Sequence, residues 1–294
     1  MNCNICPREC GADREKGEVG ACGCDGRIFL SRAALHHWEE PPISYKNGSG
    51  TVFFSGCNLG CVFCQNREIS RNMTGKEVSE ERLYQIFLEL KEQGAHNINL
   101  VTPTHYTEQI IPVLKRAKEE KFPLPIIWNS GGYEKAETVK SLKGLVDIYL
   151  PDLKYIDPAT AKRYSNAFDY FLHASKAIDE MVEQAGTPII HRGTMRRGVI
   201  VRHLILPGHT EESKKIIEYL HTRYGDKIYV SIMNQYTPTD CIKDTHPEIS
   251  RPLTESEYQS VVEFAKEIGV EKAFIQEGET ASESFIPPFD NFGV

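Results

Sequence analysis

Three cysteines, Cys57, Cys61 and Cys64, stand at the spacing C-x3-C-x2-C within Ser55-Gly56-Cys57-Asn58-Leu59-Gly60-Cys61-Val62-Phe63-Cys64-Gln65-Asn66. Thiolates ligate zinc and iron. A [4Fe–4S] cluster normally takes four cysteines, so three thiolates hold three irons and leave the fourth open. An open position accepts a substrate or cofactor chelate, the distinction that separates catalytic from structural zinc. Gly56 and Gly60 let a short loop wrap such a cluster without Cβ clashes. A zinc knuckle is the bland alternative, but zinc needs a fourth ligand and no His or further Cys follows within the loop.

The other cysteines form a second group. Cys3-x2-Cys6-x3-Cys10-x11-Cys22 offers four thiols, with Cys24 beside them and Cys241 far away as an inert thiol. Four thiolates suit a structural zinc or an accessory iron–sulfur cluster, and the spacing does not choose between them. Zinc would staple a segment too short to fold alone. Residues 1–44 therefore read as a cysteine-rich, metal-binding extension with little regular periodicity, and residues 45–294 as the core. The opening Met1-Asn2-Cys3-Asn4-Ile5-Cys6 has no basic or apolar run of an export signal. Nine cysteines in a cytoplasmic chain point to metal rather than disulfides.

The elements that must position these residues alternate. Thr51–Ser55 reads as a strand, and Glu80–Gln93 as a helix with Leu83, Ile86, Phe87 and Leu90 at helical spacing. Strands follow at Asn97–Val101, Pro125–Asn129, Val146–Leu150, Val199–Leu206, Ile228–Met233 and Lys272–Gln276. Helices are expected at Thr107–Glu120, Glu134–Lys143, Ser175–Gln184, Glu211–Arg223 and Thr254–Ile268, the last opened by a Thr254–Glu257 capping box. This order predicts an α/β fold, a partial parallel (β/α)6 barrel, with function at the C-terminal ends of the strands. The cysteine loop falls just after the first such strand.

With that loop in that place, the chain resembles the radical S-adenosylmethionine (radical SAM) superfamily over about residues 51–280. Within it, the chain is most similar to pyruvate formate-lyase activating enzymes and to a poorly characterised branch related to them. The resemblance implies that the methionyl amino and carboxylate groups of S-adenosylmethionine chelate the open iron. One electron from the cluster then breaks a sulfur–carbon bond, and a 5′-deoxyadenosyl radical abstracts hydrogen from a substrate. It further implies a protein substrate, such as the glycyl loop of a partner enzyme, and a flavodoxin- or ferredoxin-type reductant. Modification of a small metabolite is the alternative within the class.

Strand ends supply the candidate cofactor residues. Phe63 is placed to shield the cluster or pack on adenine. Thr102 and Thr104 lie where the activating enzymes carry Gly-Gly-Glu for the methionyl amino group, or serve instead as a helix N-cap. Asn129 and Ser130, before Gly131-Gly132, replace the family's Thr-Asn-Gly run and suit a ribose or carboxylate; an ordinary Gly-Gly turn is the alternative. Asp152 and Lys154, where similar activating enzymes show Asp-x-Lys, share one face of an extended chain; the resemblance implies Lys154 toward the cofactor carboxylate and Asp152 toward its ribose, and a solvated charge pair is the alternative. Arg202 interrupts the apolar run Val199–Leu206, where a charge needs a partner, and it resembles the family arginine that contacts S-adenosylmethionine. Gln235, in Asn234-Gln235-Tyr236, is a candidate for adenine or substrate. Activating enzymes also carry Asp-Gly-Pro-Gly where this chain has Asn47-Gly48-Ser49-Gly50.

The bulk properties exclude other classes. A net charge of −7 repels phosphate backbones, so no nucleic acid is expected. No apolar run is long enough to span a bilayer. Two non-enzymatic readings stand beside the enzyme: an electron carrier, which requires a fourth cluster ligand, and a zinc-binding interaction module.

Overall fold

The computed structural model describes residues 2–276 and 286–294; the end of the resemblance, residues 277–280, lies outside them. The strands are β1 (Ile28–His36), β2 (Ser49–Phe54), β3 (Lys76–Val78), β4 (Ile98–Val101), β5 (Ile126–Ser130), β6 (Ile148–Pro151), β7 (Ile189–His191), β8 (Thr194–Leu204), β9 (Tyr229–Met233) and β10 (Ala273–Ile275). The helices are α1 (Pro41–Ser44), α2 (Arg67–Arg71), α3 (Glu80–Glu92), α4 (Thr107–Glu119), α5 (Ala136–Lys140), α6 (Pro158–Ser165), α7 (Tyr170–Ala185), α8 (Thr210–Tyr224) and α9 (Glu255–Glu267).

Local chemistry explains the long helices. Ser79 caps α3 by accepting from the Arg82 amide, and Leu83, Tyr84, Ile86, Phe87 and Leu90 form its buried stripe. α9 starts with the reciprocal Thr254–Glu257 capping box and buries Tyr258, Val261, Val262 and Ala265. α7 buries Ala174, Ala177, Ile178, Met181 and Ala185. α6 is a helix that periodicity does not reveal: eight residues long, it is started by Pro158 behind an Asp157 cap.

The sheet runs β10-β9-β8-β6-β5-β4-β2-β1-β3, with β7 on the edge of β8. From β2 to β10 every neighbouring pair is parallel. β1 joins antiparallel to β2, and β3 antiparallel to β1. Among the described residues the end strands β10 and β3 do not pair with each other, so the barrel is open, as the alternating pattern predicts. The extension differs from its expected form. Residues 1–44 contain nine residues of strand, β1, which extend the sheet beyond its first parallel strand.

Alternation along each strand sends side chains to two faces. Val52, Leu100, Trp128, Tyr149, Val199 and Val201 pack against the helices in the main core. Ile127, Ile148, Leu150 and Ile200 face the lumen and close around Ile43 of α1 and Met195. The segment between β1 and β2 thus plugs the lumen at the level of these strand residues. Phe53 and Val101, also lumen-facing, pack with Ile69 of α2 and Phe289.

Candidate functional site

The cysteine loop leaves the C-terminal end of β2 and returns through α2. Gly56 opens it at φ +84°, with its amide donating to Ile69 O at 2.8 Å, and the Cys57 amide donates to Cys22 O at 3.1 Å. The extension therefore touches the loop at its first ligand. Arg8 fastens it further: its guanidinium donates to the carbonyls of Asn58 (2.8 Å), Leu59 (3.0 Å), Ser165 (2.9 Å) and Asn166. Arg14 is buried and bonds the carbonyls of Asp25 and His105. His105 in turn bonds Ser55 O through Nε2 at 2.8 Å, and burial pushes its pKa down to about 4, so its ring is neutral.

Each loop thiol meets a hydrogen-bond donor. Leu59 N–H donates to Cys57 Sγ at 3.4 Å, Ser165 Oγ–H to Cys61 Sγ at 3.1 Å, and Ser70 Oγ–H to Cys64 Sγ at 3.4 Å. Burial, and then the neighbouring thiols, push Cys64 up to about 11; burial and Cys61 raise Cys57. Among the described residues no group of three or more His, Cys, Asp or Glu side chains is gathered tightly enough to hold a metal ion as it stands. The donor set nonetheless fits an iron–sulfur cluster: three thiols from one loop, each with an N–H or O–H group of the kind that tunes cluster sulfur.

Below the loop the lumen is charged. Arg202 on β8 bonds Asp152 Oδ1 through Nε at 2.8 Å and Asn129 Oδ1 through a terminal nitrogen at 2.6 Å. Lys154 Nζ holds Asp152 Oδ2 at 2.5 Å. Burial opposes ionisation of Asp152, but Arg202 and Lys154 outweigh it and hold the carboxyl below its ordinary value. Burial likewise opposes the Lys154 charge, and Asp152 and then Cys61 outweigh it. Gly131 lies between Leu59 of the loop and Lys154, within 4 Å of both from its Cβ position. Asn129, Asp152, Lys154 and Arg202 are therefore brought together beside the cysteine loop.

Other sequence candidates make different contacts. Thr104 and Ser130 donate their hydroxyls to Glu134, at 2.8 and 2.5 Å, and Trp128 Nε1 adds a third donor at 2.8 Å. Ser130 follows Trp128 on the helix side of β5, opposite Asn129. Thr102 ends β4 with φ +59°, a left-handed conformation that is rare for a β-branched residue and costs on the order of 1–3 kcal/mol. Phe63 is buried edge-on against Tyr236, with centroids 5.9 Å apart, and against Tyr164. Gln235 meets the loop through its carbonyl, which accepts from Gln65 Nε2 at 2.8 Å. His203 turns to the helix side, between Leu153 O and Ser213 Oγ.

Periodicity and motif reading missed Glu39 and Glu40. They precede Pro41-Pro42, the only local signal, at the entry to the lumen plug. Glu39 accepts from Asn99 Nδ2 at 3.0 Å and pairs with Arg202 at 3.4 Å. Burial raises both carboxyls, Glu40 to about 7.

In the extension, burial raises the Cys3 thiol, and neighbouring Cys10 adds to it. The Cβ position of Gly20 lies 3.2 Å from Cys10 Sγ and 3.6 Å from Cys22 Sγ. Cys24 is buried under the loop beside Cys22, whose carbonyl lies 3.7 Å from its Sγ, and the Tyr106 hydroxyl donates to it at 3.1 Å. Cys241 is exposed.

The contact of Gly56 with this extension gives a direct test. A Cβ there would sit 2.3 Å from Cys24 Sγ and 2.8 Å from Cys22 O at a positive φ. Gly56→Ala should cost about 2–4 kcal/mol in urea unfolding, the sum of backbone strain and overpacking. Gly144 also has positive φ but opens onto empty space, so Gly144→Ala should cost only the strain. Equal losses in the two variants would refute the contact.

An open parallel β/α barrel with a three-cysteine loop after its first parallel strand defines the class. The family model described as the radical SAM superfamily matches residues 51–220, and the chain belongs to that superfamily. Membership implies a [4Fe–4S] cluster and S-adenosylmethionine. The chain is 30% identical to an uncharacterized protein of Methanocaldococcus jannaschii over 278 residues, 92% of this chain and 76% of that one. It is 29% identical to the pyruvate formate-lyase-activating enzyme of Clostridium pasteurianum over 174 residues, 56% of this chain and 65% of the enzyme. The structure of Streptococcus suis SuiB bound to S-adenosylmethionine superposes with TM-score 0.51 at 14% identity, covering 78% of this chain and 52% of SuiB. The chain thus spans about half the length of SuiB, and the likeness is one of fold. Among the described residues no helix is long and apolar enough to cross a membrane.

Proposed function

We propose that this chain cleaves S-adenosylmethionine reductively and uses the product radical on a protein substrate, in the manner of an activating enzyme. The observation that carries the reading is the convergence of the Cys57–Cys64 loop with Asp152, Lys154, Asn129 and Arg202 at the strand ends. The bound cofactors supply the chemistry: one electron breaks a sulfur–carbon bond, and the 5′-deoxyadenosyl radical takes a hydrogen atom. The chain's own residues bind, orient and shield. Cys57, Cys61 and Cys64 would hold three irons and leave one open. Lys154 suits the cofactor carboxylate, Asp152 and Asn129 its ribose hydroxyls, and Arg202 fixes both of these side chains. Thr102 offers its hydroxyl at the end of β4. Phe63, packed on Tyr236, walls the loop from water, and Gln65 ties it to β9 through Gln235.

The name of the Clostridium relative, an activating enzyme, favours a protein substrate; a glycyl residue as the target and a flavodoxin- or ferredoxin-type reductant are the finer expectations that the family resemblance implies. Work in a reducing cytoplasm accords with nine free cysteines. The extension belongs to the same reading. Cys3, Cys6, Cys10 and Cys22 would close around a metal, zinc in preference to a second cluster, and would hold the Arg8 contacts in place. Quantifying zinc and iron in the purified chain tests this, and zinc-free protein carrying only one cluster would refute it. The main test is anaerobic. Reconstituted protein given dithionite and S-adenosylmethionine should release 5′-deoxyadenosine, and no release above a protein-free control would overturn the function.

A further inference from the structure

The lumen holds more carboxyl groups than cations. Glu39, Glu40 and Asp152 face Arg202 and Lys154, three carboxylates against two cations. Arg202 pairs with Asp152 and Glu39 and lies near enough to Glu40 for its charge to act there, and Lys154 serves Asp152 alone. Two acceptors in this region are buried without any partner: Glu40 Oε2 and Asn99 Oδ1. Glu40 is 8% exposed and Asn99 fully buried. An unsatisfied buried acceptor costs about 1–3 kcal/mol, more when charged, so it marks a place where a donor is missing. The surrounding side chains retain an opening: Glu39, Asp152, Arg202 and Lys154 are each 11–16% exposed.

Charge and orphaned acceptors call for the same ligand. It must donate hydrogen bonds to single, separate oxygens, and the surplus of carboxyl groups favours a cation. A compact ammonium with three rotatable donors meets that description better than the planar fork of a guanidinium, which needs a paired acceptor. We propose that Glu40, with Asn99 and Glu39, binds a primary ammonium of the substrate in the barrel lumen, so that the enzyme acts on an amine-bearing substrate. This rests on reading the lumen as the reaction site. The two glutamates come from the plug between β1 and β2. That segment would thus be a specificity element, carried by the part of the chain that precedes the first parallel strand.

The test uses the full-length, anaerobically reconstituted protein saturated with S-adenosylmethionine. n-Butylammonium chloride is titrated by calorimetry at low salt and pH 8, with neutral 1-pentanol of similar size as the control. One butylammonium should bind per chain, and 1-pentanol should show no heat of binding. Glu40→Gln, which keeps the side-chain size, should weaken butylammonium at least tenfold without changing S-adenosylmethionine affinity. The wild-type comparison of amine with alcohol needs no variant, so a misfolded Glu40→Gln protein does not rescue the idea. Equal binding of amine and alcohol, no amine binding, or an unaffected Glu40→Gln variant would overturn the site. So would failure of butylammonium to bind once S-adenosylmethionine is present, because the acceptors would then belong to the cofactor's own amino group. A parallel 5′-deoxyadenosine assay separates the two readings: release without amine binding removes the ammonium site alone, and amine binding without release supports the ammonium site and removes the radical function.

Discussion

Replacing any one of Cys57, Cys61 or Cys64 by alanine should abolish 5′-deoxyadenosine release, with a loss of at least a thousandfold. Each thiol would hold a different iron, and none has a spare within the loop. The loss should be chemical rather than structural. The loop is fixed by backbone and arginine contacts that do not use the thiols, namely Gly56 to Ile69, Cys57 to Cys22, and Arg8 to Asn58 and Leu59. Thermal unfolding of the cluster-free variants should therefore stay close to that of cluster-free wild type. Activity surviving in all three variants would reject the ligand assignment.

The second large effect concerns stability. Arg202→Met should cost about 3–5 kcal/mol in urea unfolding, because it strands carboxylates that share one guanidinium. Hydrophobic replacement of both partners of a buried pair is often harmless, but removing one is not. The loss should depend on pH with a definite sign. Asp152 is held below its ordinary value of 3.8 by Arg202 and Lys154. Its pairing therefore contributes stability that is present above about pH 4 and is lost as pH falls through the lowered value. Glu39 and Glu40, raised by burial, oppose folding when ionised, and Arg202 partly offsets this at neutral pH. The gap between wild type and variant should therefore be widest near pH 8 and narrow steadily toward pH 4. A loss under about 1 kcal/mol, or a gap that widens on acidification, would show that Arg202 does not hold the lumen together.

The sequence and the structure agree most where one physical signal dominates. Helical spacing marks α3, α4, α8 and α9 within a residue or two, because each buries one apolar stripe on the sheet. The cysteine loop is legible because glycine and cysteine at fixed spacing have few other uses. β1 is not, because it lies in a cysteine-rich segment and its run Ile28–His36 mixes Ser31, Arg32 and two alanines with its apolar residues. α6 buries Thr160, Ala161, Tyr164 and Ser165 on one face, but that face is small and partly polar and its eight residues are too few for periodicity to show.

At the site, alternation resolves more than residue type does. Asn129 and Ser130 look equally able to bind a cofactor, yet adjacent strand positions must face opposite sides. Asn129 meets Arg202 in the lumen, and Ser130 meets Glu134 among the helices. Glu134 reads as the start of a helix; only the fold reveals it as a fully buried carboxylate that claims Thr104 as well. Glu39 and Glu40 were hidden for the same reason. Consecutive charges before two prolines usually mark a solvated turn, and here the turn is folded into the barrel.

The central claim is that Cys57, Cys61 and Cys64 hold a cluster with one iron free of protein ligands. Mössbauer spectroscopy of the 57Fe-reconstituted protein, with and without S-adenosylmethionine, tests it most directly. One iron in four should shift its isomer shift and quadrupole splitting when S-adenosylmethionine is added, while the other three stay put. Four irons indifferent to the addition would mean that a side chain already completes the cluster, and the proposed chemistry would have no place to begin.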